Sequence, residues 1–339
     1  MMRARRPVAL WLFASAFLVL AMVGVGGVTR LTRSGLSIVE WSPVRGTLPP
    51  RTEAEWQRAY TAYQASPEGR LVNARLDLAG FQSIFLVEWF HRLLGRFVGV
   101  FFLLPWLYFT LRRALSRAES LRYLGWFAAG GMQGALGWFM VKSGLLDRPH
   151  VSPYRLTAHL LLALIVLAGL TREGLRVAAP QHRLAPAGVS RGPAWAFLGL
   201  LLVTLTWGGL MAGHKAGWVS DTFPLMHGRW FPTGMWRAVG VSGLWSNSFL
   251  VHFTHRTLGV ALGLLGVWVF VASRRGTGPQ RHAAAVLLGL VGLQVGLGIA
   301  TVLLHVPIAL AVAHQVNGAL LLAATVTLLY LQGGRGEGP

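Results

Sequence analysis

Eight long apolar blocks, separated by shorter polar connections, constrain this chain more than any other feature. They run roughly over Val8–Val28, Ile84–Leu111, Leu121–Val141, Tyr154–Leu170, Ala194–Ala212, Phe249–Ser273, Ala283–Leu303 and Pro307–Leu331. A helix needs about 20 predominantly apolar residues to cross the hydrocarbon of a bilayer, where each backbone N–H and C=O must be satisfied within the segment. The blocks are near that length, Tyr154–Leu170 being the shortest. A barrel strand would instead alternate polar and apolar residues over about ten positions. The expectation is an all-α integral membrane protein with eight transmembrane helices. The first block reads as a retained helix and not a cleaved signal, because its apolar run is too long and no clear A-x-A site follows it.

The formal net charge of +20 invites a nucleic-acid reading, and the placement of the charges argues against it. Arg3, Arg5 and Arg6 precede the first block. Arg112, Arg113, Arg117 and Arg122 lie between the second and third. Arg172, Arg176, Arg183 and Arg191 lie between the fourth and fifth, Arg274, Arg275 and Arg281 between the sixth and seventh, and Arg335 after the eighth. Every alternate connection is basic and nearly free of acids, the pattern of cytoplasmic loops. This places both termini in the cytoplasm of a bacterium and the chain in its inner (plasma) membrane, with the lipid bilayer, and no nucleic acid, as partner. The sequence has no cysteine, which removes disulfides, thiolate haem ligands, iron–sulfur clusters and thiol nucleophiles together.

Residues 29–80 form a long outward loop. Within it "TEAEWQRAYTAYQ" opens with a capping-box pattern, Thr52 and Glu55, and places Trp56, Tyr60 and Tyr63 on one face at helical spacing. A short helix is expected there, resting at the membrane interface or packed as a lid without chemistry. Further on, the two halves of the chain resemble each other. "HRLLG" (His91–Gly95) recurs as "HRTLG" (His255–Gly259), "QGALG" (Gln133–Gly137) as "QVGLG" (Gln294–Gly298), and His159 as His314. This is the duplication of a four-helix unit, both copies in the same orientation. The expected organisation is two pseudo-symmetric four-helix bundles, residues 1–175 and 194–339, joined by a cytoplasmic linker over 176–193 that contains Pro180, Pro186 and Pro193.

His91, His159, His255 and His314 each fall near the start of an even-numbered block, some six to ten residues in, or about 9–15 Å at 1.5 Å per residue. All four therefore sit at similar depth in the outer leaflet. Two parallel helices in each half bring one imidazole each to the same level, a natural axial pair for haem iron in a four-helix bundle. A bare zinc or iron site would want three or four ligands, usually with a carboxylate, and the blocks of the second half contain no acid. Arg92 and Arg256 follow the histidines directly and suit haem propionates, which guanidinium groups bind bidentately; pairing with other helices or snorkelling is the alternative.

Glu88 breaks the symmetry. It is the one acid inside any of the eight blocks, three residues before His91 and so on the same helix face; its counterpart in the second half is His252. An ionisable group at membrane depth is functional by default. A carboxylate beside one site handles protons, or it is an ion-pair partner for Arg92 or Arg96.

With these residues in view, the sequence resembles the haem A synthases. The matching stretches are "GGVTRLTRSGLS", "EWFHRLLGR", "TAHLLLA", "LTWGGLMAGHKAGWVSDTFPLM", "HFTHRTLG" and "AVAHQVNGALLL", which cover nearly the whole chain in order. The long first loop with "WSPVRGTLPP" is similar to the mitochondrial and proteobacterial branch. Some members carry a cysteine pair in an outer loop, and this chain does not. The resemblance implies eight helices in two halves, with haem B held as cofactor by His255 and His314. It implies that haem O, the substrate, is bound at His91 and His159 beside a catalytic Glu88, and that its methyl group is oxidised in steps to a formyl for cytochrome oxidase biogenesis. It makes haem O synthase a candidate partner. The rival readings are a di-haem b-type electron-transfer protein, which needs no acid beside one haem, and a repeat-built transporter, whose polar sites would lie at the midplane in both halves.

Overall fold

The computed structural model describes residues 2–40, 45–145, 149–180 and 190–333, and among them there is no strand. Twelve α-helices follow in chain order: α1 (Met2–Leu31), α2 (Glu53–Gln64), α3 (Pro67–Leu71), α4 (Leu78–Leu111), α5 (Arg117–Leu145), α6 (Pro153–Ala178), α7 (Gly192–Gly213), α8 (Thr233–Val239), α9 (Gly243–Ser246), α10 (Ser248–Ser273), α11 (Gly278–Leu303) and α12 (Ile308–Gln332). All eight apolar blocks are helical, but seven helices, not eight, are long and apolar enough to cross a membrane. The exception is α5, which is 29 residues long. Its glycines, Gln133 and terminal charges dilute its apolar content. Part of the expected linker is helical, since α6 continues to Ala178; residues 181–189 lie outside the described residues, as do 41–44 of the "WSPVRGTLPP" stretch.

Helix α1 packs on α4 and α6, and α5 packs on the same two helices. Likewise α7 packs on α10 and α12, and α11 on the same two. Helix α6 meets α7, and α12 meets both α1 and α6, so apolar contacts run through the molecule without a break. Close approach depends on small residues, as is general between membrane helices. A methyl group on Gly209 of α7 would stand 2.8 Å from Thr157 Oγ1 of α6, and one on Gly213 would stand 2.5 Å from Pro153 Cα. Outward, α4 exposes Leu86, Phe90, Phe97, Val100, Leu104 and Leu111. This stripe has no partner among the described residues and suits lipid, since a water-facing surface rarely carries so long an apolar patch.

The basic ends gather at one end of the molecule. Arg5 of α1 pairs with Glu119 of α5. Glu173 of α6, 2% exposed, accepts from Arg122 Nε at 3.1 Å and from Arg176 at 3.3 Å. Tyr330 of α12 donates to the Ala179 carbonyl at 2.8 Å. These bonds explain why α6 outruns its apolar block: the polar turn after Leu170 is held by salt links rather than left as loop.

At the opposite end α4 begins at Leu78, almost two turns before the apolar run at Ile84, capped by the Asp77 carboxylate on Gly80 N. Phe81 on this extension and Phe85 at the start of the apolar run are covered by Trp56, Tyr60 and Tyr63 of α2, whose capping box is formed as expected. The aromatic face of α2 is thus used up against α4, so it is a packed lid. His91 consequently lies further from the start of its helix than the other three histidines do from theirs.

Candidate functional site

Helices α10 and α12 bring His255 and His314 together. Their ring centroids are 6.2 Å apart with the planes at 79°. Two imidazoles bound end-on to one metal ion, with metal–nitrogen distances of about 2.0–2.1 Å, hold their ring centres roughly 6.3 Å apart. The separation therefore fits a single iron between them. Nδ1 of each ring is buried and makes no hydrogen bond, while His314 Nε2 lies 3.2 Å from Gln294 Nε2. Gln294 is itself held by Asn317, which donates to its Oε1 at 2.7 Å. One turn after His255, a methyl on Gly259 would meet nothing within 4 Å, which leaves open space on the ligand's own helix face.

Arg256 reinforces the fit. Its Nη2 donates to the Pro224 carbonyl at 2.9 Å and its guanidinium lies 5.1 Å from the Phe223 ring centre, but Nη1 is buried without a partner. Arg256 forms no ion pair among the described residues. Arg256 is only partly buried, but a buried N–H donor left without an acceptor is costly, and a propionate carboxylate would satisfy it.

In the first half, His159 of α6 lies within electrostatic range of His91 of α4. The surroundings differ from those of the second pair. Glu88, 2% exposed, has every bond a carboxylate can use. Its Oε1 accepts from Arg92 Nη2 at 2.6 Å and Nε at 3.1 Å; its Oε2 accepts from the Ser37 hydroxyl at 2.7 Å and the Ile38 amide at 2.8 Å. Arg92 also donates to the Ile38 carbonyl at 3.1 Å. Of the two roles open to Glu88 in the sequence, the ion pair with Arg92 is present. Arg92 is turned toward Glu88 and the first loop, where an open cleft lined by Ile38, Val39, Trp138 and Lys142 adjoins it. The counterpart of Glu88, His252, is fully buried with neither ring nitrogen hydrogen-bonded.

Sequence reasoning did not find Ser37 and Ile38, which tie the first loop to Glu88. In both halves the arginine after the histidine donates to a carbonyl of a loop between the long helices, Ile38 in one and Pro224 in the other. Nor did it find that each histidine faces a glycine on a neighbouring helix: His91 faces Gly26, His159 faces Gly137, His255 faces Gly208 and His314 faces Gly298. The signal was available in part, since Gly26-Gly27 of α1 and Gly208-Gly209 of α7 are paired glycines at matching places in the two halves.

Outside the seven long apolar helices, Glu68 of α3 is 5% exposed. Burial, and then the charge of Glu88, push its carboxyl up to about 7, against the opposing pull of Lys215 and Arg33.

Residues 9–326 match the COX15-CtaA family, described as cytochrome oxidase assembly protein. The chain is 41% identical over 328 residues to the heme A synthase of Nitrosospira multiformis, covering 95% of this chain and 92% of that one. It is 44% identical to that of Rhodospirillum centenum, over 97% and 89% of the two chains. It is also 44% identical to that of Sphingopyxis alaskensis, over 98% and 94%.

Proposed function

This chain belongs to the cytochrome oxidase assembly family COX15-CtaA, and on that premise we propose that it is a haem A synthase, taking haem O as substrate and oxidising one methyl substituent to a formyl group. The observation that carries the reading is the inequality of two sites built on one plan. Each half supplies two histidines and a following arginine. One site adds a carboxylate locked beside its ligand, and the other an arginine without a counter-charge.

In this reading His255 and His314 hold haem B, and Arg256 meets a propionate. Haem B, when bound there, supplies an electron-transfer centre. His91 and His159 hold the substrate haem, with its carboxylates toward the cleft that Arg92 and Lys142 line. Glu88 takes up protons released as the methyl carbon is oxidised. The Ser37 hydroxyl and the Ile38 amide fix its orientation. Helix α1 lies between the sites, with Gly26 against His91 and Gly27 against Gln315, the neighbour of His314. Haem O synthase is the enzyme class that must deliver the substrate.

We read α5 as the eighth crossing. At 1.5 Å per residue it is about 43 Å long, and it packs on α4 and α6, both apolar enough to span. The chain then forms two four-helix bundles, 1–175 with the substrate site and 194–339 with haem B. Both termini lie in the cytoplasm and the chain in the plasma membrane, supported by the gathering of arginines at one end.

Extraction of the haems from the purified protein, followed by mass analysis, tests the reading. The expected result is haem B together with haem O, haem A or a hydroxylated haem. Haem B alone at two per chain contradicts it and favours a di-haem electron carrier.

A further inference from the structure

We propose that Gly137, Gly208 and Gly298 are positioning residues for His159, His255 and His314. Each opens a gap in its helix that seats one imidazole and presents the carbonyl one turn earlier to Nδ1, leaving Nε2 as the nitrogen for iron; at His314 the Gln294 amide, 3.2 Å from Nε2, gives way to the iron. The inference rests on the reading of these histidines as haem ligands.

Four observations support it. A methyl on Gly137 would stand 3.0 Å from His159 Cε1 and 3.6 Å from Nδ1; one on Gly298 would stand 3.0 Å from His314 Cε1 and 3.5 Å from Nδ1; one on Gly208 would stand 3.4 Å from His255 Cε1 and 4.0 Å from Nδ1. The backbone facing these rings belongs to Gln133, Thr204 and Gln294, in every case four residues before the glycine. Nδ1 of all three histidines is buried and makes no hydrogen bond, so each ring keeps a nitrogen for that carbonyl to satisfy. The fourth observation shows the same device completed. Gly27 lies 3.2 Å, measured from its missing methyl, from Gln315 Nε2, and that amide donates at 2.7 Å to the carbonyl of Val23, four residues before Gly27.

The geometry has a general cause. Side chains on a helix lean toward its N-terminus, so a residue covers the turn before its own Cα. Removing the side chain uncovers the carbonyl four residues earlier, which keeps a second lone pair after its helical bond. The hydrogen bond made by one imidazole nitrogen decides which nitrogen is left for a metal and raises its basicity. His91 is the exception. Gly26 approaches its Nε2 and Cε1, at 3.7 and 3.8 Å, so the substrate-side ligand on α4 lacks this seat.

Gly298→Ala tests the proposal in the half that keeps its haem. Alanine is the better helix former, so helix propensity alone predicts no harm. The expected result is a tenfold to hundredfold weaker hold on haem. In the fraction that retains it, the low-spin EPR signal shifts and the midpoint potential rises, because the ligand loses its hydrogen-bonded partner. Gly208→Ala, whose methyl has more room, shows smaller shifts. Gly292→Ala, on the same helix as Gly298 with nothing within 4 Å, leaves all three readouts unchanged. Gly298→Ala with wild-type haem content, EPR signal and potential overturns the proposal, and so does haem loss with an unshifted signal in the remainder, which marks a packing role only. A wild-type protein without any bis-histidine signal overturns the ligand reading instead.

Discussion

Glu88→Gln inserts into the membrane and keeps the haem of the second half, yet makes at least about a hundredfold less haem A or accumulates a partly oxidised haem. The magnitude is the lower range for losing a positioned acid–base group. Glutamine keeps the shape and accepts from Ser37 and Ile38, but it removes the charge that Arg92 faces and the group that takes up a proton. Breaking a buried ion pair at one partner costs about 3–5 kcal/mol, and the side chains of Glu88 and Arg92 are 3% and 16% exposed. A loss of activity could therefore come from a loosened loop. The double variant Glu88→Gln/Arg92→Gln separates the two causes when substrate-haem binding is measured beside activity, since it replaces the ion pair with two neutral, hydrogen-bonding amides but also removes an arginine of the substrate cleft. A catalytic carboxylate predicts that the double variant regains thermal stability and stays inactive. Recovery of activity in the double variant, or haem A production near wild type in Glu88→Gln, reduces Glu88 to a structural tie. His252→Gln, at the matching place in the other half, reduces product formation less.

His255→Ala and His314→Ala each remove most of the low-spin haem absorption of the purified protein. Loss of partners that only orient a ligand costs roughly 10–100-fold in metal affinity, so removal of a ligand itself costs at least as much. His91→Ala and His159→Ala leave that absorption in place, because they serve the other site. Full haem retention in both of the first two variants removes the assignment of this pair.

How much of this was legible in the sequence depended on how local the cause was. Apolar blocks specify helices because a membrane leaves the backbone no other partner, and each block is a helix here. Their ends were harder. Helix α4 gains almost two turns from the Asp77 cap and from the lid of α2 over Phe81 and Phe85, and α6 gains its last turns from Glu173, whose partners come from more than one element. The spacing of Glu88 and Arg92 already allowed their ion pair, since residues four apart on a helix are neighbours. Ser37 and Ile38 lie some fifty residues away in sequence, and no periodicity connects them to Glu88. The glycines opposite the histidines belong to the same class. A glycine in a membrane helix is common, and only the packing of one helix on another shows which glycine meets an imidazole.

The most direct measurement of the central claim is conversion. Membranes supplied with haem O, with and without this chain, are extracted and their haems resolved by chromatography and mass. The account predicts haem A, preceded by a hydroxylated haem, only where the chain is present, and its loss in Glu88→Gln with the haem of the second half retained. Unchanged haem O in membranes that hold the folded, haem-loaded protein and a working respiratory chain would contradict it.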